Sequence, residues 1–216
     1  DTILHFLKRH SKIAVHRDEM VTMRDGVRLA TDIYYPIKNG KRWPRELPAV
    51  LLRTPYNKDF PLTLPLAKFF ARHGYLSVIQ DCRGRYKSEG GFFLYHEAED
   101  GCDTVEWLAQ HEWCNGKVGM HGSSSPAWAE IAAATQAPRG LVTIVPHAGT
   151  TNAYRDNLHR GGARHLGMLQ WLLNLAATSP KAQAHPKDAE AVEELVGNTS
   201  TFLQSAYKVP WQRGNS

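Results

Sequence analysis

Four short apolar runs, separated by segments with helical spacing, constrain the fold of this chain most strongly. They read PAVLLRTPY, YLSVIQD, KVGMHG and GLVTIVP and begin at residues 48, 75, 117 and 140. Helical patterns over residues 64–73, 97–110 and 126–136 lie between and around them. Short apolar strands that alternate with helices are typical of a mostly parallel sheet covered by helices. The pattern therefore predicts an α/β fold.

The two ends of the chain differ from this alternating middle part. Residues 13–35 alternate in polarity around Asp25-Gly26, which is a strong signal for an antiparallel hairpin. After Pro146 the sequence has helical character and no further strand-like run. We therefore predict an α/β domain over residues 1–148, and a segment over residues 149–216 that begins a helical cap over one end of the sheet.

Composition excludes several classes of function. The 216 residues are 42% apolar, which is enough for a sizeable core, and the net charge of +5 is scattered without a basic run. A nucleic-acid-binding module is therefore disfavoured, and it would have to show salt-dependent binding. Apolar stretches are too short to cross a membrane. Three cysteines without metal-ligand spacing favour reduced thiols in a cytoplasmic protein, and no metal or cofactor is expected.

A serine cluster links the third apolar run to the helix that follows it. The link is Gly122-Ser123-Ser124-Ser125, and such a tight strand–helix turn lifts its central side chain away from the sheet. The pattern G-x-S-x-G is the nucleophile elbow of α/β-hydrolases, although Pro126 stands at its last position. Serine is also a favoured helix N-cap. From this turn alone, a capping role and a nucleophilic role remain equally open.

Three segments together resemble one family of α/β-hydrolases. They are VTMRDGVRLATDIYYP with LLRTPYNK after it, IQDCRGRYKSEGGF, and EWCNGKVGMHGSSSPAW. Their order and spacing resemble the family of cocaine esterase, X-prolyl dipeptidyl-peptidase, α-amino-acid ester hydrolase and related acylases. The resemblance spans roughly residues 15–150, and it implies an incomplete α/β-hydrolase fold that corresponds to an N-terminal portion of such a protein.

The resemblance also implies roles for individual residues. The family's nucleophile falls on Ser124, and the tyrosine that supplies half of the oxyanion hole falls on Tyr56. The backbone N–H of Ser125 would supply the other half. We interpret Asp81 and Arg83, in the second segment, as a buried ion pair that braces its loop.

A serine nucleophile also needs a base and an orienting carboxylate. In the family that this sequence resembles, both lie beyond the point where this chain stops, so we expect a downstream segment or a second chain to supply them. The histidines after the serine turn are weak candidates for the base, and His121 is expected to pack against its neighbours. They are His147, His159, His165 and His185.

The leading interpretation is a serine hydrolase that acts on small ester or amide substrates through an acyl-enzyme on Ser124. Met168, Trp171 and Leu172 are candidate walls of an acyl pocket, although a stripe at helical spacing is more often core. The alternative is a non-catalytic scaffold or binding subunit with the same fold, which Pro126 and the missing base slightly favour.

Overall fold

The computed structural model describes residues 12–92, 97–179, 184–198 and 202–204. The chain divides into two compact units, Asp1–Thr151 and Asn152–Ser216, close to the boundary predicted after residue 148. The strands of the first unit are β1 (Ile13–Thr22), β2 (Arg28–Lys38), β3 (Lys41–Arg42), β4 (Leu47–Thr54), β5 (Leu76–Asp81), β6 (Cys114–Ser123) and β7 (Leu141–His147). Its helices are α1 (Leu64–Arg72), α2 (Glu97–Gln110) and α3 (Ser125–Thr135).

One seven-stranded sheet organises the first unit. Its strand order is β1-β2-β5-β4-β6-β7, with β3 paired to β2. Strands β1 and β2 form the predicted antiparallel hairpin, and β2 also runs antiparallel to β5. Strands β5, β4, β6 and β7 are parallel to one another. The predicted α/β fold, mostly parallel with an N-terminal hairpin, is therefore confirmed.

Both faces of the central strands are buried. Leu51 and Val78 belong to a core cluster that includes Val105 and Leu108 of α2. The residues that follow them in sequence, Leu52 and Ile79, belong to a second core cluster, which contains two alanines of α1. Because successive side chains of a strand point to opposite faces, this split places α1 and α2 on opposite sides of the sheet. Helices on both faces explain why β4 and β5 read as continuous apolar runs.

The parallel arrangement also decides where functional side chains can meet. The carboxyl ends of β4, β6 and β7 lie at one edge of the sheet, and loops at that edge are the usual ligand-binding region of α/β proteins. The segment after β4 carries Tyr56, the end of β6 leads into Ser124, and β7 ends at His147. The three residues therefore belong to neighbouring strand ends.

The second unit is not purely helical, so the expectation of helices alone was wrong. It contains a π-helix (Ala153–Leu158), β8 (His159–Arg160), β9 (Ala163–Arg164), α4 (Leu166–Ala177) and α5 (Pro186–Gly197). Strands β8 and β9 form an antiparallel hairpin. Its turn consists of Gly161 and Gly162, whose φ angles of 59° and 85° suit a two-residue hairpin turn. None of the helices that the structure describes is long and apolar enough to span a membrane.

Candidate active site

Ser124 lies in the tight turn between β6 and α3. Its φ of 64° and ψ of −121° fall in a region that non-glycine residues rarely adopt, and such strain clusters at functional sites. The residue is exposed, and its side chain makes no capping hydrogen bond although it occupies the N-cap position of α3. The capping interpretation of Ser124 is therefore wrong. The turn presents a strained, exposed hydroxyl at the positive end of a helix.

Gly122 and Pro126 make this turn possible. A Cβ atom on Gly122 would lie 2.6 Å from both the carbonyl carbon and the Cβ of Pro126, so any larger residue would collide with the start of α3. Pro126 is buried in the first turn of α3, where its missing N–H leaves no hydrogen bond unmade. The departure from the G-x-S-x-G pattern is thus compatible with the tight bend.

His147 contacts the serine turn through two different groups. Its carbonyl oxygen accepts a hydrogen bond from the Ser124 N–H at 2.9 Å. Its imidazole Nδ1 lies 3.1 Å from the hydroxyl oxygen of Ser123. Among the described residues, the imidazole of His147 therefore pairs with the neighbour of Ser124. His159 and His165, two of the other candidates for the base, lie in the second unit, in β8 and directly before α4.

A cavity of about 540 Å³ opens beside the serine turn. Gly122, Ser123 and Tyr56 line it, together with Thr54 and His147. The remaining lining residues are mostly apolar: Leu52, Phe60, Leu62, Thr63, Leu66, Phe70, His121, Pro126 and Val145. None of these fourteen lining residues is an Asp, Glu, Lys or Arg. The cavity thus offers an apolar surface next to hydroxyl and imidazole groups.

His121 adds no positive charge to this cavity near neutral pH. Burial lowers the pKa of its imidazole to about 4, because the charged form would lose its hydration. Its ring lies 5.1 Å from the ring of Phe70, so it packs against a neighbour as the sequence suggested. His121 therefore contributes an uncharged imidazole to the cavity around pH 7.

Tyr56 is half-buried on the segment that follows β4, and it lines the same cavity as the serine turn. Its N–H donates to the hydroxyl oxygen of Thr54 at 3.1 Å. Strands β4 and β6 are direct neighbours in the sheet, so Tyr56 and Ser124 leave adjacent strand ends. The structure therefore brings the predicted phenol and the predicted nucleophile to one side of the molecule.

The predicted ion pair between Asp81 and Arg83 does not form. Arg83 instead donates to Asp100, at 2.6 and 3.0 Å, and to Asp25, at 2.6 and 3.1 Å. Asp81 is the last residue of β5, and its carboxylate accepts the Lys58 N–H at 2.6 Å. Burial raises the pKa of Asp81 to about 6. The prediction was wrong because two carboxylates from α2 and the hairpin turn reach Arg83 instead.

The candidate acyl-pocket residues Met168, Trp171 and Leu172 lie on α4, in the second unit. Leu172 lines a cavity of about 200 Å³ with Leu158, His159, Arg164, His165 and Leu169, all from that unit. Their role as acyl-pocket walls stays a prediction. The residues around α1 that line the larger cavity, such as Phe60 and Phe70, were not predicted from the sequence. The available signal was their apolar character directly after the RTPYNK segment.

The fold and the exposed serine at a strand–helix junction together define an α/β-hydrolase-type protein. Residues 25–212 match the family profile described as X-Pro dipeptidyl-peptidase (S15 family), and the chain belongs to that family. The chain is 36% identical over 206 residues to the cocaine esterase of Rhodococcus sp. (strain MB1 Bresler), a match that covers 91% of this chain.

Solved structures support the same assignment. A CocE/NonD family hydrolase from Staphylococcus aureus superposes with a TM-score of 0.69 at 26% identity, over 81% of this chain and 36% of that one. An α-amino acid ester hydrolase superposes with a TM-score of 0.55 at 32% identity, over 65% of this chain and 26% of that one. Against the cocaine esterase, this chain spans 35% of the relative's length. The relatives are hydrolases, so a hydrolase enzyme is the class that the family supports.

Proposed function

We propose that Ser124 is the nucleophile of a serine hydrolase that cleaves ester or amide acyl bonds. The observation that carries this proposal is the conformation of Ser124, which is exposed at φ 64° and makes no capping bond. A strained serine on a strand-to-helix turn is the arrangement that presents a hydroxyl for attack in α/β-hydrolases. Membership of a hydrolase family supports the same role.

In the proposed reaction, the Ser124 oxygen forms a bond to the substrate carbonyl carbon as its proton passes to a base. Negative charge then develops on the former carbonyl oxygen. The N–H of Ser125 and the hydroxyl of Tyr56 are the proposed donors to that oxyanion. Ser125 is the first residue of α3, so the backbone N–H of Ser125 has no acceptor within the helix. Collapse breaks the bond to the leaving group, which takes the proton from the base and departs as the alcohol or amine. Water then attacks the acyl carbon, gives a proton through the base to the Ser124 oxygen, and releases the acid.

We infer that the acyl group is neutral and apolar. The cavity of about 540 Å³ beside the turn is lined by leucine, phenylalanine and valine side chains, and the described residues of its lining include no Asp, Glu, Lys or Arg. Transfer of apolar surface into such a cavity stabilises the bound substrate by about 25 cal/mol per Å² buried. A substrate ammonium group would find no carboxylate among these lining residues. Small esters or amides of uncharged acids fit this site better than aminoacyl substrates.

The base and its carboxylate are proposed to come from outside these 216 residues, either from a further segment of the polypeptide or from a second chain. His147 supports this proposal indirectly, because its imidazole lies against Ser123. The 216 residues alone are then expected to turn over esters slowly. Rapid turnover that is lost in Ser124→Ala would contradict the external base while supporting the nucleophile.

Trapping of the acyl-enzyme tests the proposed nucleophile. We expect the full-length protein to gain the mass of one acyl group when it is mixed with a p-nitrophenyl ester and quenched with acid. The added mass should map to the peptide that contains Ser124, and Ser124→Ala should abolish it. Ser77→Ala is a matched control, because Ser77 lies near the opposite end of its strand, β5. Absence of any adduct on a folded protein would favour the non-catalytic alternative.

A further inference from the structure

Two segments leave the neighbouring parallel strands β4 and β5 side by side, and the first of them contributes Thr54 and Tyr56 to the cavity lining. Residues 54–58, here called the tyrosine segment, begin at the end of β4 and carry Tyr56. Residues 81–85, here called the clamp segment, begin at the end of β5. Thr54 and Asp81 are partners in the register of the two strands, so the segments start at the same level of the sheet.

Three hydrogen bonds join the two segments. The Cys82 N–H donates to the Thr54 carbonyl at 2.9 Å, and the Arg85 Nε donates to the Pro55 carbonyl at 2.9 Å. On the other side of the tyrosine, the Lys58 N–H donates to the Asp81 carboxylate at 2.6 Å. Tyr56 is therefore bracketed by contacts to the clamp segment, before it and after it.

The contact from Arg85 fixes more than one atom of the tyrosine segment. A peptide unit is planar, so the direction of the Pro55 carbonyl also sets the direction of the Tyr56 N–H. That N–H donates to the hydroxyl oxygen of Thr54 at 3.1 Å. Both ends of the peptide unit that leads into Tyr56 are thus held, one by Arg85 and the other by Thr54.

Arg85 is itself held rigidly. Its side chain is fully buried, and its guanidinium carbon lies 5.2 Å from the ring centre of Tyr86 and 5.4 Å from that of Phe92. The preceding residue, Gly84, has a φ of 65°, and a Cβ atom there would lie 2.1 Å from the Phe92 nitrogen. The clamp segment therefore has a shape that only glycine permits, and this shape directs Arg85 towards Pro55.

We propose that Arg85 is a positioning residue, which holds the Pro55–Tyr56 peptide so that the Tyr56 hydroxyl stays aimed at the oxyanion. The proposal rests on the proposed role of Tyr56. A donor stabilises an oxyanion only when it is held at the place where charge develops, and a misplacement of about 1 Å can cost on the order of 100-fold in rate. Arg85 does not contact the substrate. It acts through Tyr56.

A double-mutant cycle on the full-length protein tests this proposal. We expect Tyr56→Phe to lower kcat for a p-nitrophenyl ester by about 100-fold, as the loss of one oxyanion donor does. Arg85→Met removes the donor to Pro55, and we expect it to lower kcat by roughly tenfold with KM nearly unchanged, since the misplaced donor matters mainly in the transition state. In the Tyr56→Phe background, Arg85→Met should change kcat by less than about twofold.

Ser88→Ala is the matched control for damage to the loop. The Ser88 hydroxyl donates to the Asp81 carbonyl at 2.7 Å and accepts the Ala30 N–H at 2.9 Å, so its loss perturbs the same loop without touching the tyrosine segment. We expect Ser88→Ala to lower stability and to leave kcat within about twofold of the wild type. If Arg85→Met does not fold, Thr54→Val replaces it in the double-mutant cycle. That substitution removes the hydroxyl that accepts the Tyr56 N–H, at the other end of the same peptide unit.

The outcomes separate the two proposals. Equal losses of kcat from Arg85→Met in both backgrounds, an unchanged kcat, or a rise in KM alone would overturn the positioning role while Tyr56 keeps its own. Wild-type turnover in both Tyr56→Phe and Ser124→Ala would instead overturn the proposed function, and the positioning role with it. A tenfold loss that disappears in the Tyr56→Phe background supports both.

Discussion

A Cβ atom on Gly122 would lie 2.6 Å from the Cβ of Pro126, so the turn that carries Ser124 closes only around a glycine. We expect Gly122→Ala to push α3 away from the end of β6. Overpacking of this kind costs about 1–3 kcal/mol, and the displaced turn should also lose most of its esterase activity. Chemical denaturation and ester turnover measure the two effects.

Gly91→Ala provides the control for this substitution, because a Cβ atom at Gly91 would meet nothing within 4 Å. We expect Gly91→Ala to change the free energy of unfolding by less than about 0.5 kcal/mol. Equal effects of the two substitutions would mean that the close approach at Gly122 does not shape the turn.

The ion pairs of Lys58 predict a second difference between matched variants. Lys58 is fully buried, and its Nζ lies 2.7 Å from carboxylate oxygens of Asp18 and Asp32. Lys87 is exposed and pairs with the same Asp18 at 2.7 Å. We expect Lys58→Met to destabilise the fold by about 3 kcal/mol, because the buried Asp32 carboxylate loses one of its two cationic partners and keeps only Arg17, at 2.9 Å. Lys87→Met should cost less than about 1 kcal/mol. Urea denaturation of both variants compares these costs, and similar values would contradict the buried pair.

The carboxyl group of Glu130 predicts a dependence of stability on pH. Glu130 is buried in α3, accepts the Val145 N–H at 2.9 Å, and has a pKa raised by burial from 4.5 to about 7. The folded state therefore binds more protons than the unfolded state between those values. Stability contributed by the protonated form is present below about pH 4.5 and is lost as the pH rises through 7.

We expect Glu130→Gln to gain stability relative to the wild type as the pH rises from 4.5 to 7, by an amount on the order of 3 kcal/mol. Urea midpoints across this range measure the difference. Glu106→Gln is the control, because Glu106 also accepts one backbone N–H, that of Arg139, in an exposed setting. If the free energies of unfolding of Glu130→Gln and the wild type differed by the same amount at every pH, the raised pKa of Glu130 would be contradicted.

Two valines of β7 allow a test of the role of this apolar cavity, whose described lining has no carboxylate. Val145 lines the cavity and is 62% exposed, whereas Val142 on the same strand is 61% exposed and is not among the lining residues. We expect Val145→Asp to lower kcat/KM for an ester of an apolar acid by about tenfold, since an added carboxylate must be desolvated when the acyl group binds. It should favour a cationic aminoacyl ester instead. Val142→Asp should leave kcat/KM unchanged for both esters. Equal effects of the two variants would mean that the acyl group binds elsewhere.

The alternation of strands and helices could be predicted from the sequence because it depends on local patterns. The predicted helix over residues 97–110 is α2, and the run that ends at Asp81 is β5. Hydrophobic periodicity and turn residues are local signals, and the tertiary structure here agrees with them.

Contacts between distant parts of the chain could not be predicted in this way. Arg83 pairs with Asp25 and Asp100, which lie 58 and 17 residues away, and local reasoning assigned it to Asp81. The strand pair β8–β9 was missed because each strand has only two residues, too few for a periodic pattern. The position of Ser124 came from a motif, but its positive φ angle is a property of the folded turn.

The proposed nucleophile and oxyanion hole are tested most directly by a crystal structure of the full-length protein with an alkyl or aryl boronic acid, which binds a reactive serine as a tetrahedral adduct. We expect a bond from boron to the Ser124 oxygen, with one boronate oxygen about 2.7–3.1 Å from both the Ser125 nitrogen and the Tyr56 hydroxyl. A boronate bound to another residue, or one whose oxygen points away from Tyr56 and Ser125, would contradict the proposed nucleophile and oxyanion hole.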